Sequence, residues 1–186
     1  RGARRHIGPE VYIPAPDMGT NQGDMGHIRD CISYSEGISI TKGCYVTGKP
    51  IILGGIVGRT EATGKGVVFS LKAACQKRGI GLQGAKVAVQ GLGNVGGIAA
   101  REVVKQGAVV VAAEDITGAI FNNSGMDIMA LLDHVGKTGG VKGFDGAKTM
   151  PREKFFSYDC DILIPAAAGS QITVENAAGI KARIIA

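Results

Sequence analysis

Val87-Ala-Val-Gln-Gly-Leu-Gly-Asn-Val-Gly96 decides how this chain folds. An apolar run leads into Gly91-x-Gly93-x-x-Gly96, and a helical pattern begins at once behind it. That order predicts a strand, a tight turn and a helix whose first N–H groups have no intrahelical partner. Each glycine has its own physical reason. Gly91 allows the turn, Gly93 lets a pyrophosphate come close to the backbone, and Gly96 seats the helix close on the sheet. The positive end of the helix dipole favours the phosphates, so the stretch reads as the phosphate-binding turn of a dinucleotide domain.

The flanks separate this reading from a glycine-rich turn that binds nothing. Residues 85–90 read as a buried parallel strand, and Val95, Ile98, Ala99, Glu102 and Val103 form a mostly apolar helical stripe. Residues 109–113 give a second strand that ends in Glu114 and Asp115. Asp115 stands about twenty residues past Gly96, where such turns place an acid for the ribose hydroxyls. Downstream, a short strand is expected over 119–121, a helix over 127–135 and an exposed, mobile loop over the Gly- and Lys-rich residues 136–148. Residues 160–165 predict another parallel strand, stopped by Pro165 at the carboxyl end where open α/β sheets bind ligands. A short helix over 175–179 and a last strand over 182–185 follow. The fold class is therefore α/β, a Rossmann-like, doubly wound, mostly parallel sheet.

Residues 1–54 differ in character. Pro14, Pro16 and Pro50 fix extended or turning backbone, which predicts loops and short elements around one helix near 23–35. A helix is expected to open at Thr63-Gly-Lys-Gly-Val67. Its apolar positions are Val67, Val68, Leu71, Ala74 and Cys75, and it closes at Arg78-Gly79 on a cation and a glycine cap. Arg1-Gly-Ala-Arg-Arg5 is too short and too poor in Ser for a targeting segment, and reads as the exposed end of a helix. The missing initiator Met points to a chain that begins inside a longer protein.

A chain of 186 residues is long enough for one full domain and part of another. Its thirty glycines and six prolines stay below the roughly 25–30% share that marks low complexity, so the glycines mark turns. No apolar run reaches the ~18 residues of a membrane span. The net charge of +5 comes from scattered Lys and Arg with 5% aromatics, which argues against nucleic acid and suits an anionic dinucleotide and a carboxylate substrate. Cys31, Cys44, Cys75 and Cys160 show no CxxC pair and no metal-ligand spacing. They read as reduced, mostly buried thiols of an intracellular protein, with no metal site.

Three further residues stand out. Asp17 follows Pro16 on a stiff loop, where composition alone makes it a turn or cap residue. Arg59 and Thr63, in Gly54-Gly-Ile-Val-Gly-Arg59-Thr-Glu-Ala-Thr63, approach a helix through glycines. That placement allows a second anion or amide site, against a default of a solvated Arg and a capping Thr.

Together these segments resemble the glutamate dehydrogenase family of amino-acid dehydrogenases. The motifs are Ile7-Gly-Pro9, Pro14-Ala-Pro-Asp-Met-Gly-Thr-Asn21, Val46-Thr-Gly-Lys-Pro50, Gly54-Gly with Gly58-Arg59, Ala62-Thr-Gly64, Val89-Gln-Gly-Leu-Gly-Asn-Val-Gly96 and Asp161-Ile-Leu-Ile-Pro-Ala-Ala167, with Gln171-Ile-Thr173 and Asn176-Ala177. Pro-Ala-Pro-Asp and Val-Thr-Gly-Lys-Pro look like the glutamate branch. The resemblance implies that residues 1–54 end a substrate-binding domain and that 55–186 form the NAD(P)-binding domain. It makes Asp17 the proton-transfer residue, puts Arg59 beside the substrate and nicotinamide, and gives Thr63 the nicotinamide amide. Gly91, Gly93, Asn94, Val95 and Gly96 would line the pyrophosphate and adjoining ribose, and Ala166 and Ala167 would pass close to the cofactor.

The implied reaction is oxidative deamination of L-glutamate to 2-oxoglutarate and ammonia. The alternatives are a leucine, phenylalanine or valine dehydrogenase, or a dinucleotide-binding module without catalysis. Glu114 and Asp115 would repel a 2′-phosphate, which favours NAD over NADP. The family departs from this chain at His27, Tyr12 and Glu114, where it often has Trp, Asp and Ser. Its substrate-binding lysines lie upstream of the first residue here, so the isolated chain is expected to show little activity. The family further implies a homohexamer, with no nucleic-acid or membrane partner, in the cytoplasm or the mitochondrial matrix.

Overall fold

The computed structural model describes residues 6–36 and 43–186; residues 1–5, read above as a helix end, lie outside these. The chain divides into two compact units, one ending at Thr60 and the other beginning at Glu61.

The first unit carries helix α1 (Gln22–Glu36), short 3-10 turns at Gly43–Tyr45 and Ile51–Leu53, and loops. Asn21, before α1, and Asp24, in its first turn, cap the start of the helix reciprocally. Asn21 Oδ1 accepts from Gly23 N at 2.7 Å, and Asp24 Oδ2 accepts from Asn21 N at 2.8 Å. Residues 14–17 lean on 46–48, where Thr47 N donates to Pro14 O at 3.0 Å and Val46 is buried. Gly48 (φ 68°) faces the Pro16 ring, and a Cβ there would overlap it. The proline-rich loop and the Thr-Gly-Lys-Pro segment thus form one packed corner.

The second unit begins with most of helix α2 (Arg59–Arg78) and holds a six-stranded sheet. The strands are β1 (Lys86–Gln90), β2 (Val109–Asp115), β3 (Gly118–Phe121), β4 (Lys148–Met150), β5 (Ile162–Pro165) and β6 (Ile184–Ile185). They are joined through helices α3 (Gly96–Lys105), α4 (Ile128–Thr138) and α5 (Val174–Ala177). Their order is β4-β3-β2-β1-β5-β6. β2, β1, β5 and β6 run parallel, while β3 and β4 add an antiparallel edge.

Strand alternation divides the core in two. Val87, Val89, Val110, Ala113, Ile162 and Ile164 face a layer that includes Val68, Leu71 and Cys75 of α2, Ala99 and Val103 of α3, and Leu131 of α4. Ala88, Ala112, Ala119 and Leu163 lie on the other face, with Phe155 as the large side chain buried among them. The register slips between Val87 and Ala88, and Val111 joins its neighbour Ala112 on the second face. This is a bulge, with Val111 as the extra residue of β2. α2 is tied to α3 through Glu61, which accepts from Arg101 Nη2 at 2.7 Å and pairs with Lys65 at 2.5 Å. These two cations hold the Glu61 carboxyl down at about 2.

Three expectations need correction. α2 opens at Arg59, directly after Gly58 (φ 85°), so Thr63 lies in its second turn and does not cap it. The loop expected over 136–148 is partly helix and partly core: α4 runs to Thr138 and stops on Gly139 (φ 82°), Val141 is fully buried and β4 begins at Lys148. Only two of the four thiols are buried, since Cys31 and Cys44 are exposed. Burial raises the Cys75 thiol and pushes that of Cys160 up to about 11. The remaining boundaries differ by a residue or two, as element ends usually do.

Candidate functional site

The sheet order reverses at β1, which has β2 on one side and β5 on the other. In open α/β sheets the crevice at such a switch point, outside the carboxyl ends of the strands, is where ligands bind. The glycine turn stands there. Gly91 (φ 81°) donates its N–H to Glu114 O at 2.7 Å, and a Cβ on it would lie 2.7 Å from Ala166 O. A Cβ on Gly96 would overlap the Gly91 carbonyl oxygen. On Gly93 a Cβ would meet nothing within 4 Å. Two of the three glycines are therefore required by packing within the protein, and the third leaves one side of the turn open. Val95 precedes α3 with no side-chain cap. Among the described residues, the N–H groups of Gly93, Asn94 and Val95 have no protein acceptor.

A cavity of about 570 Å³ opens over this turn. Gly91, Gly93, Asp115, Ala166 and Ala167 line it, so residues separated by up to 76 positions in sequence meet in one wall. Asn94, Val95 and Gly96 continue the same turn into α3. Gly64 in α2 packs so closely on α3 that a Cβ there would sit 2.6 Å from Ile98 Cβ and 2.8 Å from Val95 O. Thr63, exposed beside Gly64, is thereby carried to the start of α3.

Sequence reasoning missed Gln90, Arg152 and Gln171, which also line the cavity. Gln90 Nε2 donates to Glu114 Oε2 at 3.2 Å and to Gln171 Oε1 at 2.8 Å, and Arg152 Nε donates to Glu114 Oε1 at 2.9 Å. Only the ladder pairing of Gln90 with Glu114 and Pro165 brings these side chains together.

Asp17 and Arg59 belong to the unit that ends at Thr60. Asp17 is exposed in a tight turn: its N–H donates to Thr20 Oγ1 at 2.8 Å, its carbonyl accepts from Thr20 N at 2.9 Å, and its Oδ1 accepts from Met18 N at 2.7 Å. Among the described residues Oδ2 has no hydrogen-bond donor and is left for another partner, on a loop stiffened by two prolines. Arg59 is exposed at the first position of α2. The second unit offers N–H donors on the open side of Gly93 and acceptor oxygens at the end of β2, a donor and acceptor set that suits a phosphate diester joined to a ribose.

Residues 54–186 match the model of the glutamate/leucine/phenylalanine/valine dehydrogenase family. Over all 186 residues the chain is 41% identical to the cryptic catabolic NAD-specific glutamate dehydrogenase GudB of Bacillus subtilis (strain 168), covering 43% of that protein. The fold is similar to the hetero-hexameric glutamate dehydrogenase of Thermus thermophilus in its Leu-bound form, with a TM-score of 0.90 and 34% identity over 99% of this chain and 43% of that one. It is also similar to the glutamate dehydrogenase of Peptoniphilus asaccharolyticus, with a TM-score of 0.71 and 32% identity over 100% of this chain and 43% of that one. The chain thus spans less than half the length of these relatives. A glycine turn at the switch point, an open cavity over it and a match that runs through the whole sheet lead to one assignment: the chain belongs to the glutamate/leucine/phenylalanine/valine dehydrogenase family.

Proposed function

We propose that the protein is a glutamate dehydrogenase, which deaminates L-glutamate oxidatively to 2-oxoglutarate and ammonia, with NAD preferred over NADP. The observation that carries this reading is Gly93, whose free side opens into the cavity between two glycines locked by packing. In this reading residues 1–54 end the substrate-binding domain and 55–186 hold the dinucleotide. Gly91, Gly93, Asn94, Val95 and Gly96 take the pyrophosphate, Asp115 borders the ribose, and Ala166 and Ala167 form the opposite wall. Thr63 holds the carboxamide of the nicotinamide.

Held by the Gly91–Gly96 turn, the dinucleotide would supply the hydride acceptor for the α-carbon of the amino acid. The work of the protein is orientation and proton transfer. Arg59 attracts the substrate carboxylate. Asp17, with one carboxylate oxygen fixed by Met18 N, moves protons between the substrate nitrogen and water: it takes one from the substrate nitrogen, passes it to solvent and is again a free base when water attacks the imine. NAD is favoured by the acidic end of β2 and by the NAD-specific name of the B. subtilis relative. The T. thermophilus relative is a hetero-hexamer, and we place this protein in an oligomer of that size. No helix among the described residues is long and apolar enough to cross a membrane, and four free thiols accord with a cytoplasmic setting.

The test is turnover by the complete protein with L-glutamate, L-leucine, L-phenylalanine and L-valine. Glutamate is expected to give the highest kcat/KM with NAD. A clear preference for one of the apolar amino acids would move the protein to another branch of the family, and no turnover with any of them would make it a binding module.

A further inference from the structure

The two acids that end β2 are in different states. Asp115 is engaged by the fold: its Oδ1 accepts from Thr117 N at 2.7 Å and Thr117 Oγ1 at 2.6 Å, and its Oδ2 accepts from Val141 N at 2.8 Å. It pins the turn after β2 to the segment after α4. Glu114 is buried, 4% exposed, and each of its oxygens accepts one bond, from Arg152 and from Gln90. A carboxylate offers about four acceptor sites, so Glu114 keeps acceptor capacity at the cavity wall. Gln90 is also buried, and its Oε1 has no partner among the described residues.

Arg152 is half-exposed and also lines the cavity. Its hydrogen bond among the described residues runs through Nε, which leaves both Nη groups without a protein acceptor. An acid at this place accepts from ribose hydroxyls and repels a 2′-phosphate, whereas an arginine attracts that phosphate. Here the two are bonded to each other in one wall, so each offsets the field of the other.

We propose that the Glu114–Arg152 pair, and not Asp115, sets the choice between NAD and NADP in this chain. Glu114 excludes the 2′-phosphate, and Arg152 limits how strongly it does so. The inference rests on the dinucleotide reading of the cavity.

The test is titration of the 186-residue chain with NADH and with NADPH at one ionic strength, followed by nicotinamide fluorescence, with thermal unfolding recorded for each variant. The quantity read is the ratio of the NADPH Kd to the NADH Kd. Arg152→Gln should raise this ratio about tenfold and Glu114→Gln should lower it about tenfold, the scale of one hydrogen bond to a charged group. Asp115→Asn should leave it unchanged. If Glu114→Gln fails to fold, Arg152→Gln at its half-exposed site still decides the matter. A ratio unmoved by the folded variants, or moved by Asp115→Asn in their place, overturns the inference and leaves the dinucleotide reading standing. Failure of the unsubstituted chain to bind either dinucleotide overturns both.

Discussion

Asp17→Asn in the complete enzyme should lower kcat by about 10²–10⁴-fold, the range for removing a general acid–base group, while NADH binds as before. The substitution is sharp because the turn does not need the charge. Met18 N can donate to the amide oxygen as it does to Oδ1, and the bonds with Thr20 use the backbone of residue 17 and the threonine hydroxyl. Shape is kept and proton transfer is lost. Asp17→Ala should cost as much in kcat and should also loosen the loop, because the bond from Met18 N goes with the carboxylate. A kcat that stays within a few-fold of the unsubstituted enzyme would mean that another group moves the proton, and that Asp17 serves only the turn between Pro16 and Thr20.

The second large effect concerns stability. Phe155→Ala should destabilise the folded unit by about 3–5 kcal/mol, the usual cost of emptying a buried aromatic site. Phe155 is 1% exposed, on a face where Ala88, Ala112 and Ala119 offer little volume of their own. Its ring meets Phe156 edge-on at a centroid distance of 5.5 Å. Helices α2, α3 and α4 cover the opposite face with many side chains that share the load, whereas here Phe155 is the largest fully buried side chain, clustered with Val111 and Leu163 over the alanines. Phe156, half-buried at the margin, should cost clearly less when truncated. Denaturant unfolding of the two variants makes the comparison, and equal losses would show that the second face is not organised around Phe155.

Much of this architecture is legible along the chain because local rules agree there. Val87–Gly96 reads as strand, turn and helix start, and residues 109–115 read as a second strand ending in acids. In both places periodicity and glycine position carry the same message. The reading fails where a glycine serves packing. Gly64 follows Thr63 and looks like a helix opening, yet it lies inside α2 because Ile98 and Val95 leave no room for a Cβ. Gly140 reads as loop, yet a Cβ there would overlap Thr117, and its neighbour Val141 is core. The polar wall of the cavity is illegible for another reason. Gln90 meets Glu114 and Gln171 across separations of 24 and 81 residues, and Glu114 meets Arg152 across 38. No local pattern carries such contacts. They follow from the strand order, in which β5 crosses to the far side of β1.

The central claim is that the open side of the Gly91–Gly96 turn receives a dinucleotide, and Gly93→Val tests it most directly. A Cβ at this position meets nothing within 4 Å, so the variant should fold and unfold as the unsubstituted chain does. It would instead fill the space over the N–H groups of Gly93, Asn94 and Val95. The measurement is titration of both proteins with NADH, followed by nicotinamide fluorescence. Saturable binding by the unsubstituted chain, lost in a Gly93→Val variant of unchanged thermal stability, is the result predicted here. Binding that survives the substitution would place the dinucleotide elsewhere and contradict the account.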